Sequence, residues 1–282
     1  MGEIATRITT GLVMAAAVLA AIWLDPEPWS VVAAAALVGC IGYDEVMRMG
    51  MPVNAADRGL VMRAIGQLAA AAMVVTPALV GLEAALPAVA VGAVLTLAVA
   101  ALLRPAAVDR AGQHAAIALA ALWYVPLLMA LLPLIKQGAA AERGREWLTI
   151  ALMVAFFSDT FAYFAGRMLG RHKLYPAVSP GKTWEGALGG LLGGVVATAA
   201  CGSAWLVPEL GWRTAVVLGV LGSAAGQVGD LFESLLKRTY RVKDSGDLLP
   251  GHGGMLDRVD GLLFVSPVIY AFVTWWPWRG SP

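Results

Sequence analysis

Nine apolar runs, each close to the length a helix needs to cross a hydrocarbon core of about 30 Å, follow one another along this chain with only short polar breaks between them. They fall at about 6–24, 30–47, 62–81, 84–103, 112–135, 147–167, 184–206, 212–236 and 256–276. A backbone inside lipid must satisfy its own hydrogen bonds, and runs of this length do so as α-helices. The expected fold is therefore all-α, a polytopic membrane bundle of about nine transmembrane helices. Composition enters only to exclude the alternatives. With 59% hydrophobic and 14% charged residues, the chain is too apolar for a soluble domain, which carries about 25% charge, and far too apolar for a disordered one. The weakest break is Gly81 to Leu86, where Glu83 is the one charge, so eight spans is the alternative count. Ile8 to Leu24 follows Arg7 and resembles a signal segment, but a second run follows almost at once and a retained first span is expected. Cys40 and Cys201 stand alone in apolar stretches, with no disulfide or zinc spacing.

Basic residues orient the string. With the N-terminus in the cytoplasm, fifteen Lys and Arg fall on inner segments and five on outer ones, the bias of the positive-inside rule. Composition also separates two halves of one integrated membrane domain. Residues 1–140 are mostly Ala, Leu and Val and read as scaffold, whereas 141–282 carry acids and loops rich in reactive groups. Within the scaffold, Asp44 and Glu45 near the end of the second span sit close to Arg48; a functional role is the alternative, and hydrated ion pairing is the expected role of both.

Three clusters converge on the cytoplasmic face: Asp159 with Tyr163 and Arg167; Ser179 to Gly186, including Lys182, Thr183 and Glu185; and the run from Gly229 to Gly261. Gly186, Gly190 and Gly194, then Gly222 and Gly226, recur at every fourth position inside helices, which makes them packing faces and not a phosphate loop. Gly181-Lys182-Thr183 imitates the tail of a P-loop, but Pro176 stands where the first glycine belongs and no strand is expected before it. On the eighth span Asp230, Glu233, Ser234 and Lys237 share one stripe. An acid at membrane depth is a site hypothesis by default. The loop from Arg241 to Gly254 ends in Pro250-Gly251-His252-Gly253-Gly254, a turn able to wrap an anion with backbone N–H groups. Lys237, Arg238, Arg241 and Lys243 add positive charge, and the start of the ninth helix adds its dipole. Polyphosphate is the natural ligand. Asp257, Arg258 and Asp260 follow immediately. Carboxylates beside polyphosphate imply a hard cation such as Mg²⁺, which Asp230 and Asp257 are placed to share.

These residues resemble the phosphatidate cytidylyltransferases, also called CDP-diacylglycerol synthases. From Ser234 to Asp260 thirteen non-apolar residues stand at the spacing of that family's signature. The resemblance extends to Ser158-Asp159 and to Ser179-Pro180 with Lys182-Thr183 and Glu185-Gly186, so it is specific over the C-terminal half. Gly181 stands where the family often has a lysine. The resemblance implies an all-helical membrane enzyme that transfers CMP from CTP to phosphatidate, giving CDP-diacylglycerol and pyrophosphate for phospholipid synthesis. Mg²⁺ is the implied cofactor, with K⁺ as a candidate second cation. Carried onto this chain, Asp230, Asp257, Lys237 and Arg258 become the catalytic residues and Asp230 and Asp257 the metal ligands, with Asp260, and after it Asp244 and Glu233, as second choices. Substrate binding falls to Asp159, Ser179, Lys182, Thr183, Glu185, Arg238, Lys243, His252, Gly253 and Gly254. The expected partners are CTP, phosphatidate and the bilayer, with no nucleic acid and with a second copy of the chain as the candidate protein partner. An integral inner-membrane location with a cytoplasmic active site follows. Two other classes compete: an ion-coupled transporter, whose acids belong nearer the midplane, and a CDP-alcohol phosphotransferase, whose Asp-Gly-x2-Ala-Arg pattern is absent because Asp260-Gly261 is not followed by Ala-Arg.

Overall fold

The computed structural model describes residues 2–51, 59–102, 108–138, 143–248 and 253–275. Helices α1 (Gly2–Trp23), α2 (Trp29–Gly50), α3 (Gly59–Val80) and α4 (Leu82–Leu102) lead into α5 (Val108–Tyr124) and α6 (Pro126–Gln137). Helix α7 (Gly144–Leu169) is followed by strands β1 (Lys173–Tyr175) and β2 (Ser179–Thr183), then α8 (Trp184–Val196), a π-helical continuation (Ala197–Leu206), a short 3₁₀ turn (Pro208–Leu210), α9 (Trp212–Thr239) and α10 (Leu256–Trp275). Among the described residues, seven helical segments are long and apolar enough to cross a membrane. Helices α1, apolar over Thr9–Trp23, and α10, which opens on Asp257, Arg258 and Asp260, occupy the first and ninth expected runs. The chain is an all-α polytopic membrane protein.

Three breaks have local causes. Gly81 alone separates α3 from α4, at φ +83°, a conformation glycine adopts without strain; the two runs are separate helices. The fifth run is interrupted at Val125 because Pro126 donates no N–H and disfavours a helical residue before it. In the seventh, the Thr198 hydroxyl lies 3.0 Å from the Gly194 carbonyl and 2.7 Å from the Ala215 carbonyl, where the helix widens into its π-helical stretch.

The chain divides into two compact units, Met1–Leu134 with Tyr240–Arg258, and Ile135–Thr239 with Val259–Pro282. The first is built on α2 to α5. Asp25 accepts from the Glu27 and Ser30 N–H groups at 2.9 and 3.0 Å and so fixes the entry to α2. Tyr43, Met47, Met73, Leu122 and Met129 are buried at its centre, and a Cβ at Gly66 would overlap the Tyr43 hydroxyl. Outward faces carry exposed Leu68, Leu79, Val91 and Leu95, as lipid-facing surfaces do.

In the second unit α8 packs between α7 and α9, and the small-residue faces make this possible. A Cβ on Gly194 would lie 2.5 Å from the Gly219 carbonyl, and one on Gly186 would lie 3.2 Å from the Gly166 Cα. The Ser223 hydroxyl, fully buried, donates to the Gly190 carbonyl at 2.7 Å and pairs with the Ser158 hydroxyl at 2.6 Å. The antiparallel hairpin β1–β2, with Lys173 opposite Thr183 and Tyr175 opposite Ser179, is an addition to the all-α expectation. It places Gly181, Lys182 and Thr183 inside a strand that runs directly into α8, so there is no phosphate-cradling loop between strand and helix.

Candidate active site

In the second unit a cavity of about 400 Å³ is lined by Asp159, Arg167, Lys182, Thr183, Gln227 and Asp230, among others. Its lining comes from α7, the hairpin β1–β2, the start of α8 and α9. The Lys182 ammonium lies 2.6 Å from Asp230 Oδ2, both side chains part-exposed. Asp260, on the second turn of α10, lies within electrostatic reach of Asp230, Asp159 and Lys237 and accepts from the Gly261 N–H at 2.8 Å. Three carboxylates from three helices therefore crowd one region with two lysines as counter-charges. Lys237 pairs with the buried Glu233 at 2.5 Å, one turn earlier on α9.

Other expected substrate residues of this unit are occupied structurally. Thr183 is the N-cap of α8 and accepts from the Gly186 N–H at 3.1 Å. Glu185 accepts from the Arg171 N–H at 3.1 Å and the His172 N–H at 3.3 Å, and its Oε1 lies 2.6 Å from the His172 ring. Arg238 donates to the Val178 carbonyl at 3.3 Å, which ties the end of α9 to the hairpin turn. Ser179 holds its place in the hairpin register, and Arg167 donates to the Tyr163 hydroxyl at 3.0 Å.

The signature loop belongs to the first unit. Asp257 Oδ2 accepts from the Ser245 N–H at 2.9 Å, the Ser245 hydroxyl at 2.8 Å and the Gly254 N–H at 2.9 Å. Gly253 turns the chain at φ +77°. Lys243 and Arg258 are exposed, and His252 lies outside the described residues. The N–H of Gly254 is thus spent on Asp257 and not offered to a ligand.

Sequence reasoning missed Glu45. Its neighbour Asp44 does form the expected ion pair with Arg48, at 2.6 Å, and takes a second one from Arg63. Glu45 pairs with no cation of that group. It is 5% exposed and accepts from the Met255 N–H at 2.8 Å, the Leu256 N–H at 2.8 Å and the Ser245 hydroxyl at 3.0 Å. Adjacent helical residues point about 100° apart, so two neighbouring acids rarely share one partner; that was the available signal. The first N–H groups of α10 consequently meet a carboxylate of the protein itself, not the anion that the dipole argument expected.

Among the described residues no group of three or more His, Cys, Asp or Glu forms a ready cage for a metal ion. Mg²⁺ does not demand one, because it keeps waters and is bound through one or two carboxylates plus substrate oxygens. Hard oxygen donors from Asp159, Asp230 and Asp260 crowded together fit that requirement, and Lys182 against Asp230 marks where positive charge is wanted.

Comparison with known proteins bears on the family. A phosphatidate cytidylyltransferase of Thermotoga maritima is 41% identical over 160 residues, which cover 55% of this chain and 57% of that one. One from Staphylococcus aureus is 43% identical over 130 residues, 45% of this chain and 49% of that one. One from Bacillus subtilis is 44% identical over 131 residues, 46% and 48% respectively. The chain spans about half the length of the curated relatives it matches. A family model, by contrast, matches residues 5–276, nearly the whole chain, and it is that of the Cytidylyltransferase family. This chain belongs to the Cytidylyltransferase family.

Proposed function

We propose that the protein transfers the cytidylyl group of CTP to phosphatidate. An oxygen of the lipid phosphate attacks the α-phosphorus, the bond from that phosphorus to the bridging oxygen of the β-phosphate breaks, and pyrophosphate leaves with the electron pair. The lipid phosphate has a second pKa of about 6 and is already an oxyanion at neutral pH, so little general-base help is needed. Orientation and charge neutralisation carry the rate. The observation that carries this reading is the crowding of Asp159, Asp230 and Asp260 with Lys182 and Lys237 on the helices of a membrane protein from a cytidylyl-transferring family.

Asp230 and Asp260 would hold Mg²⁺ in the second unit, and Asp257 is the carboxylate of the first unit assigned to a cation, its orientation set by Ser245 and Gly254 as ligating carboxylates require. When bound, the ion supplies charge neutralisation at the phosphates. Lys182 orients Asp230 and balances phosphate charge; Lys243, Arg258 and His252 would serve the triphosphate from the loop, and Gly253 makes their turn. Thr183, Glu185, Ser179 and Arg238 shape the hairpin at the rim of the cavity. The membrane setting lets the lipid keep its acyl chains in the bilayer while its headgroup meets a water-soluble nucleotide. The fifteen-to-five distribution of basic residues supports a cytoplasmic site and N-terminus.

Purified protein in detergent, given phosphatidate, Mg²⁺ and CTP labelled at the α-phosphate, should form a lipid-linked labelled nucleotide, and EDTA should abolish it. Turnover of CTP without label in lipid would overturn the reading. A single cysteine at exposed Asp247 should resist an impermeant thiol reagent in intact cells and react in opened ones. Labelling from outside would overturn the orientation.

A further inference from the structure

We propose that Glu45 of α2 is a positioning residue for the reaction: it anchors the signature loop at Ser245 and at Met255-Leu256, and two glycines of the signature exist to admit its carboxylate. The proposal rests on the assignment of that loop to nucleotide binding and goes beyond it, since α2 carries none of the family motif.

Glu45 is buried, and its two oxygens take three hydrogen bonds from the loop, at Met255, Leu256 and Ser245. The Ser245 hydroxyl lies between Glu45 Oε2 and Asp257 Oδ2, at 3.0 and 2.8 Å. Its single proton serves both carboxylates in turn. Displacing Glu45 therefore disturbs Asp257 as well. Two backbone donors at the start of α10 lose their acceptor if Glu45 is removed, and a buried donor without a partner is expensive.

Gly246 and Gly254 supply the independent observation. Neither has a positive φ; among the described residues of the loop Arg241 and Gly253 do. Their backbone conformations admit other residues, but the space does not. A Cβ on either one would lie 2.8 Å from Glu45 Oε1. For Gly246 the three nearest atoms all belong to the Glu45 side chain, whereas Gly254 also meets the Ser245 hydroxyl and the Gly246 backbone nitrogen. An alanine at 246 thus bears directly on the Glu45 side chain, and the carboxylate end is what gives way. Gly246→Ala and Glu45→Gln should produce the same defect through the same contact.

The test combines a kinetic split with a readout that needs no turnover. In detergent-purified full-length protein, Glu45→Gln should raise the CTP KM by about tenfold and leave the phosphatidate KM within about twofold, because the loop and not the lipid path is loosened. Gly246→Ala should do the same, and the double variant should be no worse than either single one, the non-additivity of a shared contact. Hydrogen exchange of the Met255 and Leu256 amides without substrate should rise by about tenfold in both variants, while α3 around Arg63 stays unchanged. Unchanged exchange at those two amides, KM values for both substrates that rise together, or strictly additive losses would each overturn the proposal. If the wild-type protein makes no CDP-lipid, it is the reaction that fails, and the exchange measurement still decides the anchor. Should Glu45→Gln not fold, Gly246→Ala keeps the carboxylate and carries the test alone.

Discussion

In the first unit Glu45 and Asp257 are surrounded by donors: Ser245, Gly254, Met255 and Leu256 turn N–H and O–H groups toward them. In the second, Asp159, Asp230 and Asp260 feel one another, with Lys182 and Lys237 as counter-charges. Carboxylates saturated by backbone donors fix a shape. Carboxylates that repel one another favour a cation between them, because like charges cost free energy that a cation can relieve. The same residue type thus does architectural work in the first unit, and the proposed function gives it chemical work in the second, with Asp257 of the first unit assigned to both.

The largest effect expected from breaking this contrast is at the crowded acids. Asp230→Asn should lower turnover by about 100-fold or more, equivalent to roughly 3 kcal/mol, with CTP-protected elution from detergent columns showing that the fold is intact. Asp257→Asn should be comparably damaging. Asp244→Asn and Asp247→Asn, which remove equal charge from exposed loop positions, should stay within about threefold; equality among the four would erase the distinction. Next in size, Lys182→Met should raise the CTP KM by roughly tenfold by removing the partner of Asp230 and a cation for phosphate, measured by initial rates at fixed phosphatidate. Gly194→Ala sharpens the architectural side: with a Cβ 2.5 Å from the Gly219 carbonyl, overpacking should cost about 1–3 kcal/mol, read as a lower unfolding midpoint in detergent with little change in KM. Arg48→Ala should be the smallest, below about 0.5 kcal/mol, since Arg48 is 67% exposed and Arg63 still holds Asp44.

Span length, the glycine faces and the singling out of Asp230 were legible because each is a local pattern: a run of about 20 apolar residues, a small residue every fourth position, a carboxylate on a helix stripe. The grouping of Asp230 with Asp159 and Asp260 was not, since the sequence paired Asp230 with Asp257. Gly186, Gly190 and Gly194 do pack where the spacing put them. Contacts between distant segments were not legible. Glu45 meets residues two hundred positions away, and its adjacency to Asp44 signals only that the two acids have different partners, not which ones. The hairpin was hidden for another reason, since Pro180 and Gly181 weaken any strand signal and the register depends on Thr183 being fixed as the cap of α8. Lys182 was assigned to substrate, but its ion pair with Asp230 requires the strand to run straight into the helix.

The central claim, that the crowded acids of the second unit hold the charge for a cation, is tested most directly by the Mg²⁺ dependence of turnover in wild-type protein and in Asp230→Asn at saturating CTP and phosphatidate. The account predicts a half-saturating Mg²⁺ concentration at least about tenfold higher in the variant, together with the reduced maximal rate. Superimposable Mg²⁺ curves for the two proteins would contradict it.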